Sequence, residues 1–419
     1  MFSTLLLLAA LHVNSGRLQQ TLEQLSQYGR NPEGGVTRPG FSAADKAARD
    51  YVMKLMREAG LAVRVDPAGN IYGRREGREK LPVLLFGSHI DSVEKGGNFD
   101  GDVGSMGAIE VARALNENKV QTRHPLEVVI WAAEESHPFG GLFGSSAAAG
   151  LHPPDILDHK DRNGRTVADA LRDFGLDPAH LEEAQRAKGQ IAAYLELHIE
   201  QGGVLDQKQI QIGVVEGIVG IRDWTCTAEG FANHAGTTPM DQRRDALAAA
   251  SRALLLVRQE VRRNPGRQVG TVGMLRVEPG APNVIPGRVE FSLELRDLSA
   301  DTTQRISERI FAGFREIERE ENVKLACTSR VYHAPALTDT RIREAIAEAA
   351  KDAGFTTLTL PSGAGHDAQS MAHLAPIGMI FVPSVAGISH SPKELSRWED
   401  IARGAEVLYR TILKLDERF

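Results

Sequence analysis

In "GSHIDS", Gly87–Ser92, a histidine and an aspartate stand one residue apart, directly after the apolar run "LPVLLF". His89 and Asp91 therefore stand at the end of a buried strand, either in a polar loop or pointing into a site. Asp100 lies in "GGNFDGD", Glu134 and Glu135 follow "LEVVIWAA", His198 lies in "ELHIEQGG" and His390 in "GISHSP". Singly, each has an ordinary explanation: an Asp before Gly is a turn residue, and a Glu pair is a solvated edge. Together, three His and four carboxylates flank apolar strands or Gly-rich turns, where water should be scarce. Burying that much charge is costly unless cations neutralise it.

Imidazole nitrogen with carboxylate oxygen suits Zn, Mn, Co or Ni. Two divalent ions sharing one carboxylate would polarise a carbonyl and lower the pKa of a bridging water, which suits hydrolysis. Of the adjacent Glu134 and Glu135, one could bind metal while the other moves a proton from water to a leaving nitrogen.

Positioning these residues requires a particular scaffold. "FSAADKAARDYVMKLMREAG" reads as a helix with a capping pattern at Ser42 and Asp45, an apolar face of Ala47, Tyr51, Leu55 and Met56, and a stop at Gly60. "LPVLLFGSH", "LEVVIWAAEE" and "PIGMIFVPS" read as buried strands, and "GSMGAIEVARALNENK" as a helix between the first two. Alternating strands and helices predict an α/β domain with a mostly parallel sheet, in which ligands collect at the carboxyl ends of the strands. His89 and Asp91 occupy one such end, Glu134 and Glu135 another.

The middle of the chain has another period. In "GRVEFSLELRDL", Val289, Phe291, Leu293 and Leu295 alternate with Glu290, Ser292, Glu294 and Arg296, which predicts a strand with one wet face. "QVGTVGMLRVEP" reads as its neighbour, and "DQRRDALAAASRALLLVRQEVRR" and "TQRISERIFAGFREIERE" as long helices. We expect an α+β domain at 213–330, inserted into a catalytic domain formed by 1–212 and 331–419.

The chain's 419 residues exceed one compact core, which agrees with two domains. Composition is ordinary for a soluble globular protein, and net charge of −6 without a Lys/Arg block argues against nucleic acid as a partner. Cys226 and Cys327 are too few for a thiolate cluster and do not suggest a disulfide scaffold. The apolar run Leu5–Leu11 is too short to span a membrane. No Lys or Arg precedes it and no clear Ala-x-Ala site follows, so the expectation is a cytoplasmic protein, with export as the alternative.

"GSHIDSVEKGGNFDGDVG", "EES", "ELHIEQGGVLD", "GFANHAGTTPMDQRRDAL", "PNVIPGRVEFSLELRDL", "SGAGHDAQSMA" and "FVPSVAGISHSPKE" occur in this order. The chain from about Leu18 onward thereby resembles the metal-dependent amidohydrolases that include N-carbamoyl-L-amino-acid hydrolase, β-ureidopropionase and allantoate amidohydrolase. The resemblance implies a dinuclear peptidase-like catalytic domain with an inserted ferredoxin-like lid and dimerisation domain, and a homodimer. It implies that His89, Asp100 and His198 bind one ion and Asp100, Glu135 and His390 the other. Asp91 would orient His89, and Glu134 would be the general base. The implied contacts to a small ureido or carbamoyl acid are Gln201, His234, Asn283, Arg296 and the backbone at Gly365. Arg296 suits a substrate carboxylate through its planar fork; its ordinary alternative is a surface ion pair. His234 would reach the site of the partner subunit and polarise the scissile carbonyl; its ordinary alternative is a loop histidine.

The chain departs from the family pattern at His137 and Pro138, where a Ser-Arg-Phe-like segment is usual. This leaves open whether the substrate is an N-carbamoyl-L-amino acid, allantoate or 3-ureidopropionate. A dipeptidase or aminoacylase on the same fold is disfavoured by His198, since such relatives more often place a carboxylate there. A non-catalytic binding relative would have lost Glu134 or a ligand, and all are present.

Overall fold

The structure, a computed structural model, describes residues 12–135, 139–161 and 163–419. The run Leu5–Leu11 and the departure at His137 and Pro138 lie outside the described residues. Among the described residues, no helix is long and apolar enough to cross a membrane. The chain forms two compact units. One runs to Glu216 and resumes at Leu337; the other is Gly217–Ala336.

The first unit is mixed α/β, built on a sheet with nine strands among the described residues. Its centre is four parallel strands in the order Leu126–Trp131, Val83–His89, Ile191–Ile199 and Ile377–Val382. Phe86 is in register with Val128 on one side and Leu195 on the other. Every residue of Val83–His89 and of Leu126–Trp131 is buried, as their unbroken apolar character requires of strands covered on both faces.

The sheet is mixed rather than mostly parallel. Ala62–Val65 and Ile71–Arg75 form a hairpin, and the second of these pairs antiparallel with Leu126–Trp131. Asp66 closes the hairpin turn by accepting the N–H groups of Ala68 and Asn70, and so short a connection permits only antiparallel pairing. On the other flank Ile212–Ile218 pairs antiparallel with Ile377–Val382.

The helix Ala43–Glu58 begins as its sequence predicts. Ser42 accepts the N–H of Asp45, and Asp45 accepts that of Phe41, an arrangement contributing about 1 kcal/mol. Helix Asp102–Glu117 starts without a side-chain cap, at Gly101. That glycine has φ +67°, and a Cβ on it would lie 2.4 Å from the His89 ring, so both its backbone conformation and the ring demand glycine.

In the second unit Arg288–Asp297 alternates as predicted, with Val289, Phe291, Leu293 and Leu295 buried among residues of helices Ala246–Arg262 and Ala300–Glu321. Its four long-path strands run Leu275–Glu278, Arg288–Asp297, Gly220–Glu229, Lys324–His333, all antiparallel, with Val269–Thr271 also paired to Arg288–Asp297. Cys226 and Cys327 face each other across two of these strands and are disulfide-bonded. The cysteine count predicts no such bridge, because 101 residues separate the pair and only strand register brings them together.

Candidate active site

His89 ends its strand and His198 is the penultimate residue of the adjacent parallel strand, so both rings emerge at one carboxyl edge, with centroids 5.8 Å apart. Both are buried. His89 Nδ1 lies 3.0 Å from the Asp91 backbone carbonyl, and His198 Nδ1 2.9 Å from that of Ile199. A carbonyl only accepts, so each Nδ1 carries a hydrogen, and Nε2 is the atom with a lone pair for a cation; that of His198 accepts the Gly101 N–H at 3.2 Å.

Asp100 precedes Gly101 at the start of helix Asp102–Glu117. Its Oδ1 lies 3.6 Å from His89 Nε2 and 3.2 Å from His198 Nε2. Its Oδ2 lies 3.4 Å from His390 Nε2 and accepts from Gln201 Nε2 at 2.7 Å. His390 Nε2 is also 3.5 Å from Glu135 Oε1, a buried atom with no hydrogen bond among the described residues. Potential ligand atoms of His89, Asp100 and His198 lie within 4.8 Å of one another, as do those of Asp100, Glu135 and His390. One carboxylate thus turns each of its oxygens to a different set.

Glu134 and Glu135 follow strand Leu126–Trp131 in the same edge. Glu134 Oε2 is 3.7 Å from His89 Nε2. Burial, with Glu135 and Asp367 nearby, pushes the Glu134 carboxyl well above its ordinary range. Burial and Asp100 push Glu135 up to about 8. Asp91 is raised to about 6 by burial, despite the N–H groups it accepts. Burial also lowers His89 to about 4. In His198, burial is outweighed by Asp100, which lifts it to about 9; the Asp100 hydrogen bond likewise lifts His390 to about 9. Four carboxyl groups, those of Asp91, Asp100, Glu134 and Glu135, crowd around three imidazoles, and full ionisation of all four would leave an excess of negative charge. Proton uptake relieves that imbalance, and so do cations. The donor set and the unsatisfied Glu135 oxygen fit divalent metal.

The carboxylate of Asp91 is engaged elsewhere than at the His89 ring, 3.7 Å away. It accepts the backbone N–H groups of Glu134 and Glu135, each at 3.0 Å. Asp91 therefore meets His89 through its main chain and the glutamate pair through its side chain. Gly365 lies between strand Thr357–Ser362 and helix Asp367–Met371, next to His366, whose ring is 4.5 Å from that of His198.

His234, Asn283 and Arg296 belong to the other unit. His234 is exposed on a two-residue ribbon, paired with Val284, and the Asn283 carbonyl accepts the Ala235 N–H at 3.0 Å. His234 Nδ1 accepts from the N–H groups of Gly236 and Thr237, at 3.0 and 3.2 Å. Its hydrogen therefore sits on Nε2, which makes the outer edge of the ring a donor. Arg296 forms a two-pronged pair with Glu294, 2.8 and 3.1 Å, on its strand.

Several residues of the first unit escape the sequence reading. Arg38 is buried; it donates to the carbonyls of Leu25, Tyr28 and Ile90 and to both oxygens of Asp102, so it ties the residue after His89 to the start of the helix that follows Asp100. Nothing in its flanking sequence signals this. Glu196 and His366 form a further group of potential ligand atoms with His198. Spacing offers a signal for Glu196, two residues before His198 and thus on the same strand face; His366 sits in the quoted "GAGHDAQ". Glu394, four residues after His390, is buried beside Asp100.

The description of Peptidase family M20/M25/M40 matches residues 85–414. An N-carbamoyl-L-amino acid amidohydrolase of Geobacillus stearothermophilus is 46% identical over 96% of this chain and 99% of its own length. An allantoate amidohydrolase of Escherichia coli is 36% identical, over 95% of this chain and 97% of its own length. Among solved structures, an amidase of the hydantoinase/carbamoylase family from Burkholderia multivorans superposes with TM-score 0.90 at 37% identity, covering 96% of this chain and 98% of that one. Matched in sequence across most of its length and in fold, with a carboxyl-edge cluster suited to the divalent ions such enzymes use, the chain belongs to Peptidase family M20/M25/M40.

Proposed function

We propose that the protein hydrolyses N-carbamoyl-L-amino acids to the amino acid, carbon dioxide and ammonia, using two divalent ions per subunit. The observation that carries the two-ion reading is the divided carboxylate of Asp100, one oxygen toward His89 and His198 and the other toward His390. Under this reading His89, Asp100 and His198 hold one ion, and Asp100, Glu135 and His390 the other. Zn is the first candidate, with Mn, Co or Ni also suited to the donors. Bound divalent ions supply Lewis acidity to a carbonyl and lower the pKa of water toward neutrality.

The chain's own groups do the rest. Glu134 takes the proton of the attacking water and delivers it to the leaving nitrogen; its Oε2, 3.7 Å from His89 Nε2, stands at the ligand cluster. Gln201, which donates to Asp100, and the backbone at Gly365 orient the ureido group. Arg296 and Asn283 receive the substrate carboxylate, and Arg296 then exchanges Glu294 for the substrate. His234 donates from Nε2 to the oxygen of the scissile carbonyl, a role its two backbone contacts at Nδ1 support.

We further propose that the inserted segment, expected at 213–330 and forming the unit Gly217–Ala336, acts as lid and dimerisation domain, so that His234 serves the site of the partner subunit. The helix–strand alternation and the antiparallel strand order of this unit support a ferredoxin-like reading. The substrate class rests on the 46% identity to the Geobacillus stearothermophilus protein. Allantoate is the second candidate, favoured by the Escherichia coli relative. Assaying the metal-loaded protein on a panel of N-carbamoyl-L-amino acids, 3-ureidopropionate and allantoate tests this. Preferred turnover of a carbamoyl amino acid is the expected result, and turnover confined to either other compound overturns it.

A further inference from the structure

We propose that Glu394 is a positioning residue that locks the loop carrying Asp100 to the loop carrying His390, so that both ligand sets are held in one geometry. The inference rests on the two-ion reading of the site.

Glu394 is 4% exposed, yet among the described residues no Lys or Arg is one of its hydrogen-bond partners. Its Oε1 accepts the backbone N–H groups of Phe99 and Asp100, at 3.0 and 3.1 Å. Its Oε2 accepts from the Ser389 hydroxyl at 2.8 Å. That hydroxyl is also 3.1 Å from Asp100 Oδ2, so its one hydrogen lies between the two carboxylates. The two oxygens of Glu394 thus tie together two loops, whose Asp100 and Ser389 stand 289 residues apart in the chain. One loop presents Asp100, the other His390, immediately after Ser389.

The surroundings are built for this contact. The Glu394 N–H donates to the Ser391 carbonyl, folding the segment after His390 back on itself. Gly97 faces the carboxylate; a Cβ there would lie 2.0 Å from Glu394 Oε1 and 2.4 Å from Glu394 Cβ. Any side chain at position 97 would displace Glu394 or the loop. Phe99 packs on Trp398, with centroids 5.5 Å apart, adding an apolar tie beside the polar one.

A carboxylate buried against two backbone donors and a hydroxyl fixes positions well, because each lost contact would leave a buried donor unsatisfied. Metal ligands need positions held to about 0.5 Å. Loss of such a supporting contact typically costs about 10- to 100-fold in metal affinity. Because Asp100 is common to both sets, loss of Glu394 should weaken both. Loss of Ser389 alone should weaken only the set with His390.

The test uses the full chain stripped with chelator and titrated with Co(II), followed by visible absorption and by competition with a chromophoric chelator. Wild type should bind two ions. Glu394→Ala should weaken both by about 10- to 100-fold. Ser389→Ala should weaken one. Glu394→Gln should lie close to wild type, since its amide oxygen still accepts from Phe99 and Asp100 and its NH2 can donate to Ser389 Oγ. A folded Glu394→Ala, checked by circular dichroism, that binds both ions as wild type does overturns the proposal. If Glu394→Ala does not fold, Ser389→Ala and Glu394→Gln decide: unchanged binding in Ser389→Ala, or weakening in Glu394→Gln, overturns it. A wild type that binds fewer than two ions overturns the two-ion reading and this proposal together, which separates that failure from a failure of Glu394 alone.

Discussion

The side-chain oxygen Oδ1 of Asp91 accepts the backbone N–H of Glu134 at 3.0 Å, while Oδ2 does the same for Glu135. A residue of one strand end therefore holds the main chain of the next, so that the proposed general base, Glu134, and a proposed ligand, Glu135, are set by one clamp. Asp91→Ala would leave two buried N–H groups without acceptors, each costing about 1–3 kcal/mol. Activity should fall even where metal content is restored. Near-normal kcat in a fully metallated Asp91→Ala would show that the clamp is dispensable.

Glu134→Gln retains shape and removes the proposed base. Turnover should drop about 10²- to 10⁴-fold while metal content stays at the wild-type level. Elemental analysis and steady-state kinetics on one preparation check both halves, and a fully metallated, active variant would refute the role.

Asp100→Ala removes the carboxylate common to both candidate ligand sets. Metal analysis should give well under two ions per chain. Retention of two ions would mean that Asp100 is not the bridge.

The chelator-treated chain should lose thermal stability between about pH 6.5 and pH 9. In that window Glu135, raised to about 8, and His198 and His390, raised to about 9, bind more protons folded than unfolded, so stability is fullest at the low end and is lost as pH rises through those values. His89, lowered to about 4, and Asp91, raised to about 6, act below this window. Divalent metal should oppose the loss, because ligands bind it deprotonated. A melting temperature that rises across the window in chelator would contradict the assignment.

His234 and the dimer can be tested by complementation. His234→Ala and Glu134→Gln should each be nearly inactive as homodimers. If His234 serves the partner's site, a mixed heterodimer places both defects in one composite site and leaves the other whole, so activity returns. If His234 acts within its own chain, each site carries one defect and none returns. An active His234→Ala homodimer would make His234 a loop residue only.

Much of this protein is legible in its residues. Unbroken apolar runs specify Val83–His89 and Leu126–Trp131 as strands covered on both faces, because only burial on both sides tolerates such sequences. Alternation specifies the one-faced strand Arg288–Asp297. A capping pair specifies the start of helix Ala43–Glu58, since the orphan N–H groups there need acceptors within three residues. These are local rules, satisfied by neighbours in sequence. Placing His89 at a strand end follows from them too.

Tertiary structure alone decided the rest, because the deciding partners are distant in the chain. The sheet is mixed because flanking strands return antiparallel, a matter of connection and pairing rather than composition. Cys226 meets Cys327 only through strand register. Asp91 turns its side chain to Glu134 and Glu135 rather than to the ring beside it, because two buried N–H groups lie there in need of an acceptor. Nothing in the sequence singles out Arg38 or Glu394, and each is buried by contacts that folding assembles from separate loops. Residue type limits which groups can ligate or carry a proton; the fold sets which of them face one another.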